Sequence, residues 1–137
     1  MKQKRHPLFR TILLVLPAIL WMTLIFYLSS RQRVAVSNTY IINFMFFKFL
    51  HVTEYSILYT LVYRALCIYS EKRLPVYKKL LIALIITLLY AVIDEIHQTF
   101  VPTREGTVRD VLIDSIGIAI MYSYIKKYPK LIDKLLT

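Results

Sequence analysis

LLIALIITLLYAVIDEIHQTF, residues 80–100, opens with fourteen residues that carry no charge and then sets Asp94, Glu95 and Gln98 near its end. The run is continuously apolar, with no alternation at a period of two, so its spacing predicts a helix rather than a strand. With Lys79 included it has the roughly 20 residues needed to cross about 30 Å of hydrocarbon. Two adjacent carboxylates at one end of such a segment are costly unless paired or wetted, so they point to a functional site.

Working outward, three more segments read the same way, giving helices at about 8–28, 46–69, 79–100 and 107–125. With 58% hydrophobic residues and only two glycines, the composition is wrong for a soluble domain of 137 residues. A mean hydropathy of +0.56 says the same. Only helices or closed barrels satisfy backbone groups in lipid. The expectation is an all-α integral membrane four-helix bundle forming one domain over residues 1–137. The first segment follows Lys2, Lys4 and Arg5 like a signal peptide. Its apolar run is too long for one, however, and residues 27–31 have no small-x-small cleavage pattern, so it reads as a retained helix. Pro17 is expected to kink it.

The net charge of +10 is distributed as a membrane protein distributes it. Lys2, Lys4, Arg5 and Arg10 precede the first span. Arg64, Lys72, Arg73, Lys78 and Lys79 lie around the second connection, and Lys126, Lys127, Lys130 and Lys134 follow the fourth span. Arg31, Arg33, Lys48, Arg104 and Arg109 fall on the other side, so the bias is thirteen to five. Both termini are therefore expected on the cytoplasmic side of the membrane. A basic surface near anionic lipid accounts for the charge without a nucleic-acid partner. Tyr27, Tyr69, Tyr77, Tyr122 and Tyr124 fall near the expected interfaces. The single cysteine, Cys67, reads as a packing residue.

One longer connection, from Ser29 to about Phe44, is expected on the outer side. Its second half is too aromatic for a solvated loop, so the second helix either tilts or begins in the interface. The connections at 70–77 and 101–106 are short, with Pro75 and Pro102 as breakers and Gly106 permitting a turn. Short connections make consecutive helices antiparallel neighbours.

Polar residues gather at one depth. Lys48, His51, Glu54 and Tyr55 share one face of the second helix at about 100° per residue. Asp94, Glu95 and Gln98 cover a similar arc on the third helix. Asp110, Asp114 and Gly117 form a narrow stripe on the fourth, where the glycine admits a close neighbour. Arg104 lies between the last two helices. At about 2.5–3.5 kcal/mol for each central charge, several such groups facing lipid would approach ~10 kcal/mol, so they are expected around a shared cavity. Glu95 and Arg109 could also be solvated rim residues. His97 lies about 60° from Asp94, toward the interface, and His6 has no role.

Three chemistries fit such a pocket. His51 and Glu54 with Asp94, Asp110 or Asp114 could ligate a divalent cation, although Lys48 and Arg104 would compete with it; no metal or cofactor is assigned. Crowded carboxylates sharing protons could supply an acid and a base for hydrolysis or transfer, with His51, Glu54, Asp94, Glu95, Asp110 and Asp114 as candidates. Mixed charges could bind an anionic headgroup, with Arg104 and Lys48 on phosphate. A transporter is disfavoured because the inner halves of the helices carry few polar residues.

The carrying motifs are Leu28-Ser29-Ser30, Lys48-x-x-His51-x-x-Glu54-Tyr55, Asp94-Glu95-x-x-Gln98-x-Phe100, and Pro102-x-Arg104 followed by Asp110-x-x-x-Asp114-x-x-Gly117. In this order, over residues 20–120, the chain resembles the VanZ-like family of small bacterial membrane proteins. That family often has glycine where Thr103 stands, glutamine where Arg31 stands, and asparagine where Asp114 stands. The resemblance implies a link to teicoplanin resistance, through the family's namesake, and hence to the cell envelope. The combined expectation is an extracytoplasmic pocket of Lys48, His51, Glu54, Tyr55, Asp94, Gln98, Arg104, Asp110 and Asp114. Its partners would be membrane lipids or lipid-linked envelope precursors and, indirectly, the glycopeptide. A membrane-embedded hydrolase or transferase is the alternative.

Overall fold

Pro7 supplies the fixed φ that suits a first helical turn, and from it α1 runs to Ser29, continuous through Pro17. It is followed by α2 (Tyr40–Ser70), α3 (Val76–Gln98) and α4 (Val108–Lys127), with no strand among the described residues. The computed structural model describes residues 7–32, 35–70, 73–129 and 132. Lys2, Lys4, Arg5, His6, Arg33, Lys72, Lys130 and Lys134 of the charge reading lie outside the described residues, as does the side chain of Arg10.

The expected helices are all present, and the largest difference is where α2 begins. It starts at Tyr40 rather than 46, which shortens the preceding connection. Asn43 explains the early start. Its Oδ1 accepts the N–H groups of Val36 (2.9 Å) and Ser37 (2.8 Å), and its Nδ2 donates to the Ser37 carbonyl at 2.6 Å. One side chain in the first turn thus satisfies the loop that leads into it. At the other junctions, Pro75 precedes α3 in extended conformation, and α3 stops at Gln98, short of Pro102. Thr107 caps α4, its hydroxyl accepting the Asp110 N–H at 3.2 Å.

Cross-helix contacts give the topology. Tyr59 Oη donates to the Leu80 carbonyl while Tyr55 Oη reaches Asp94, so α2 and α3 run antiparallel. Lys48 meets Asp110 and Ser56 meets Gly117, so α2 and α4 run side by side in the same direction. In an up-down bundle those two would lie on a diagonal. Here they touch, because a Cβ on Gly117 would collide with the Val52 carbonyl oxygen. The glycine on the α4 stripe does admit the close neighbour. Helix α1 packs outside, on α2 and α3.

The core is a column on α2, with Tyr55, Leu58, Tyr59 and Tyr63 fully buried against Ala83 and Ala91 of α3 and Ile118 and Ile125 of α4. Aromatic polar tips end on backbone carbonyls: Trp21 Nε1 on Glu54 at 2.9 Å, and Tyr90 Oη on Met22 at 2.6 Å. These place the apolar body inside without orphaning its polar end.

The outer surface is apolar. On α3, Leu81, Ile85, Leu89, Val92, Ile93 and Ile96 are all exposed. By length and composition α3 is the one helix among the described residues that could cross a membrane, and 28% of its most apolar stretch is buried. Leu14–Ser29 of α1 is apolar but shorter. Helices α2 and α4, and the last turns of α3, carry the charged residues at one end of the bundle.

Candidate functional site

The topology brings the end of α1, the first half of α2, the end of α3 and the start of α4 together at one end of the bundle. Every candidate residue lies there. Lys48 Nζ stands 2.7 Å from Asp110 Oδ2, and Arg109 Nε stands 3.4 Å from Asp110 Oδ1. Lys48 and Asp110 are nearly buried, at 15% and 7% exposure of their side chains, whereas Arg109 is 64% exposed. Both cations also lie over the Phe44 ring, at 5.7 Å and 5.4 Å from its centre.

One turn further in, His51 Nδ1 faces Asp114 Oδ1 at 3.2 Å. Neither atom, nor Asp114 Oδ2, has a hydrogen bond of good geometry. Asp94 is better provided. It accepts from Ser29 Oγ at 2.6 Å, Gln98 Nε2 at 3.1 Å and Tyr55 Oη at 3.4 Å. Gln98 Nε2 also donates to Glu95 Oε1 at 3.0 Å, so one amide holds two carboxylates.

Glu95 is 4% exposed, which corrects the reading of it as a solvated rim residue. Its second oxygen accepts the N–H of Thr107 at 3.0 Å. The turn between α3 and α4 folds back so tightly that Gly106 lies against the Glu95 carbonyl, with no room for a Cβ. Its φ is not positive. Close approach, rather than an unusual turn conformation, is what requires this glycine. The residue in the left-handed region is Thr103, at φ 70°.

Arg104 spends much of its fork on the main chain. Nε donates to the Arg31 carbonyl and Nη2 to the Leu28 carbonyl, both at 2.9 Å, while Nη1 reaches Gln98 Oε1 at 3.5 Å. It closes the C-terminal end of α1, a role that spacing alone does not reveal. Glu54 lines a cavity of about 180 Å³ together with Ser29, His51 and Arg104.

A larger cavity of about 410 Å³ opens above the cluster. Tyr40, Phe44 and Phe47 form its aromatic wall, and Lys48, Arg104, Arg109 and Asp110 bring its charge. His51 and Gln98 also line it. His51 borders both cavities.

Contributions from α1 were absent from the polar faces identified by periodicity. Ser29, 3% exposed, is the shortest contact to Asp94. Ser30 Oγ meets His97 Nε2 at 2.9 Å, and His97 lies against the Phe26 ring with centres 4.4 Å apart. His97 therefore anchors α3 to α1 beside the site.

These positions coincide with the motifs of one family: its profile, described as VanZ/LLP1, matches residues 13–127. The chain belongs to the VanZ/LLP1 family. Comparison with curated proteins and with solved structures finds no match. The matched region of this VanZ/LLP1 chain includes α2, α3 and α4 whole, α1 from residue 13, and every candidate residue. Of the family motifs, the serine pair, the acidic pair with its glutamine, and the arginine after the proline interlock directly, through Ser29–Asp94 and Arg104–Gln98.

Proposed function

We propose that this chain is a multi-pass protein of the bacterial plasma membrane, with both termini cytoplasmic. Its extracytoplasmic cavity would bind the anionic headgroup of a lipid-linked or cell-envelope molecule and so influence susceptibility to glycopeptides such as teicoplanin. The observation that carries the reading is the cavity of about 410 Å³, whose wall is aromatic and whose rim carries Lys48, Arg104 and Arg109. Aromatic surface suits the first part of a lipid chain, and guanidinium and ammonium groups suit a phosphate.

A bilayer location is supported by the inverted distribution of polarity. Asp94 and Asp114 are buried while Leu89, Ile93 and Leu112 are each about three-fifths exposed. Apolar surface on that scale is a liability in water and an asset in lipid. The orientation rests on the bias of basic residues, and the glycopeptide link on family resemblance.

Protein reconstituted in nanodiscs and offered a polyprenyl phosphate or its neutral alcohol tests the reading. Native mass spectrometry is expected to show preferential retention of the phosphate, weakened about tenfold by Lys48→Ala or Arg109→Ala. Equal retention of the two lipids, or no loss in either variant, would overturn it.

A membrane-embedded hydrolase or transferase is the second reading, supported by His51, which lines the larger cavity, facing Asp114 at 3.2 Å. Turnover of a lipid-linked pyrophosphate, abolished by His51→Gln, is its expected signature. Retention without turnover across a broad panel leaves binding alone.

A further inference from the structure

Below the basic rim the balance of charge reverses. Lys48 and Arg109 both turn to Asp110, and Arg104 donates to the backbone at the end of α1. The acids deeper in, Glu54, Asp94, Glu95 and Asp114, outnumber the one imidazole set among them, His51. Asp94 draws on three donors and Glu95 on two. Asp114, with a side chain 1% exposed, has no well-formed hydrogen bond to either oxygen. A buried carboxylate without donors is costly, and such groups either take a proton or hold a cation.

The surrounding donors favour a cation. One ligand atom each from His51, Glu95 and Asp114 lies within 4.8 Å of the other two. Ligands bound tetrahedrally to one ion at about 2.0–2.2 Å stand ~3.3–3.6 Å apart, so the three need close by at most about 1.5 Å, within reach of side-chain rotation. They come from α2, α3 and α4, and Thr107 N–H already orients Glu95 from outside, as outer hydrogen bonds orient metal ligands. His51 borders both cavities, which gives the cluster a route of entry.

We infer that His51, Glu95 and Asp114 form a site for one first-row divalent cation of the zinc class, held by an imidazole and two carboxylates. The imidazole selects such ions over Mg²⁺ and Ca²⁺, which take oxygen ligands alone. The cation neutralises the acids below the rim and fastens three helices to one point. This site stands independently of headgroup binding, because its occupancy is measured with no lipid ligand added.

The full chain, purified in detergent, stripped with a chelator and dialysed against Zn²⁺, provides the test. One Zn²⁺ per chain is expected, with X-ray absorption showing imidazole and oxygen neighbours and a thermal midpoint several degrees above that of the stripped protein. Asp114→Asn is nearly isosteric and removes a buried charge that has no well-formed hydrogen bond, so its stripped form should unfold close to the parent's midpoint. Its Zn²⁺ affinity should fall at least tenfold and the thermal shift should vanish. Glu95→Gln should lose affinity similarly, so the reading remains testable if one variant fails to fold. His97→Asn should bind as the parent does. Uptake well below one ion per chain, a sulfur neighbour from Cys67, or parental affinity in both Asp114→Asn and Glu95→Gln would overturn the site.

Discussion

Lys48 Nζ and Asp110 Oδ2 stand 2.7 Å apart across the parallel pair α2 and α4, both nearly buried. Removing one partner strands the other. Lys48→Ala leaves Asp110 with exposed Arg109 alone and is expected to cost about 2–3 kcal/mol, whereas the double variant Lys48→Ala with Asp110→Ala recovers at least ~1 kcal/mol of the summed losses. Thermal unfolding of the four proteins in detergent measures this coupling, and additive losses would refute it.

Gly117 is required for main-chain contact rather than for flexibility. Even one methyl group there meets the Val52 carbonyl. Gly117→Ala is expected to destabilise by about 2–3 kcal/mol, and Gly117→Leu to abolish folding. Midpoints of unfolding and the yield of monodisperse protein report both. Ala119→Leu, on the exposed face of the same helix, should change neither.

Thr103 adopts a φ of 70° with a β-branched side chain, in the region where glycine rests without strain. Thr103→Gly is expected to stabilise the turn by up to about 1 kcal/mol after the added entropy of the unfolded chain is subtracted. A lower unfolding midpoint would show that other contacts of Thr103 outweigh its strain.

Arg104 joins the α3–α4 turn to α1 through two carbonyls at once. A lysine has the charge but not the fork, so Arg104→Lys should lose most of what Arg104→Ala loses, about 1–3 kcal/mol. Hydrogen exchange at the last turn of α1 should speed up in both variants. Protection restored by lysine would show that charge alone matters.

Ser29→Ala removes the shortest hydrogen bond to Asp94 and should cost about 1.5–3 kcal/mol, as loss of a bond to a charged group does. Ser30→Ala loses an exposed bond to the Phe26 carbonyl and a contact with half-buried His97, and should cost less, about 1 kcal/mol.

How much of this was legible follows from what periodicity encodes. The faces containing Lys48, His51 and Glu54, then Asp94 and Gln98, then Asp110 and Asp114, are local properties, and the structure does bring them together. Which side of the bundle receives α1 is not local, so the contribution of Ser29 was hidden although its motif was visible. Arg104 is legible as a cation beside the cavity, but its bonds to the Arg31 and Leu28 carbonyls are not, because charge is read more easily than the need of a helix end for donors. Whether Glu95 faces the cluster or the rim is not legible, because nothing in its own helix shows the turn folding back to bring Thr107 over it. The early start of α2 depends on what Asn43 does with the loop, a single side chain among seven apolar neighbours.

The contact between Gly117 and Val52 falls one residue past His51 on α2 and three past Asp114 on α4. The helices cannot slide or draw nearer at that point, so the gap between positions 51 and 114 is gauged by two main chains. It is indifferent to the rotamers of the residues that face across it. Different side chains can be installed on either bank while the span stays the same, and the absent Cβ is what calibrates it.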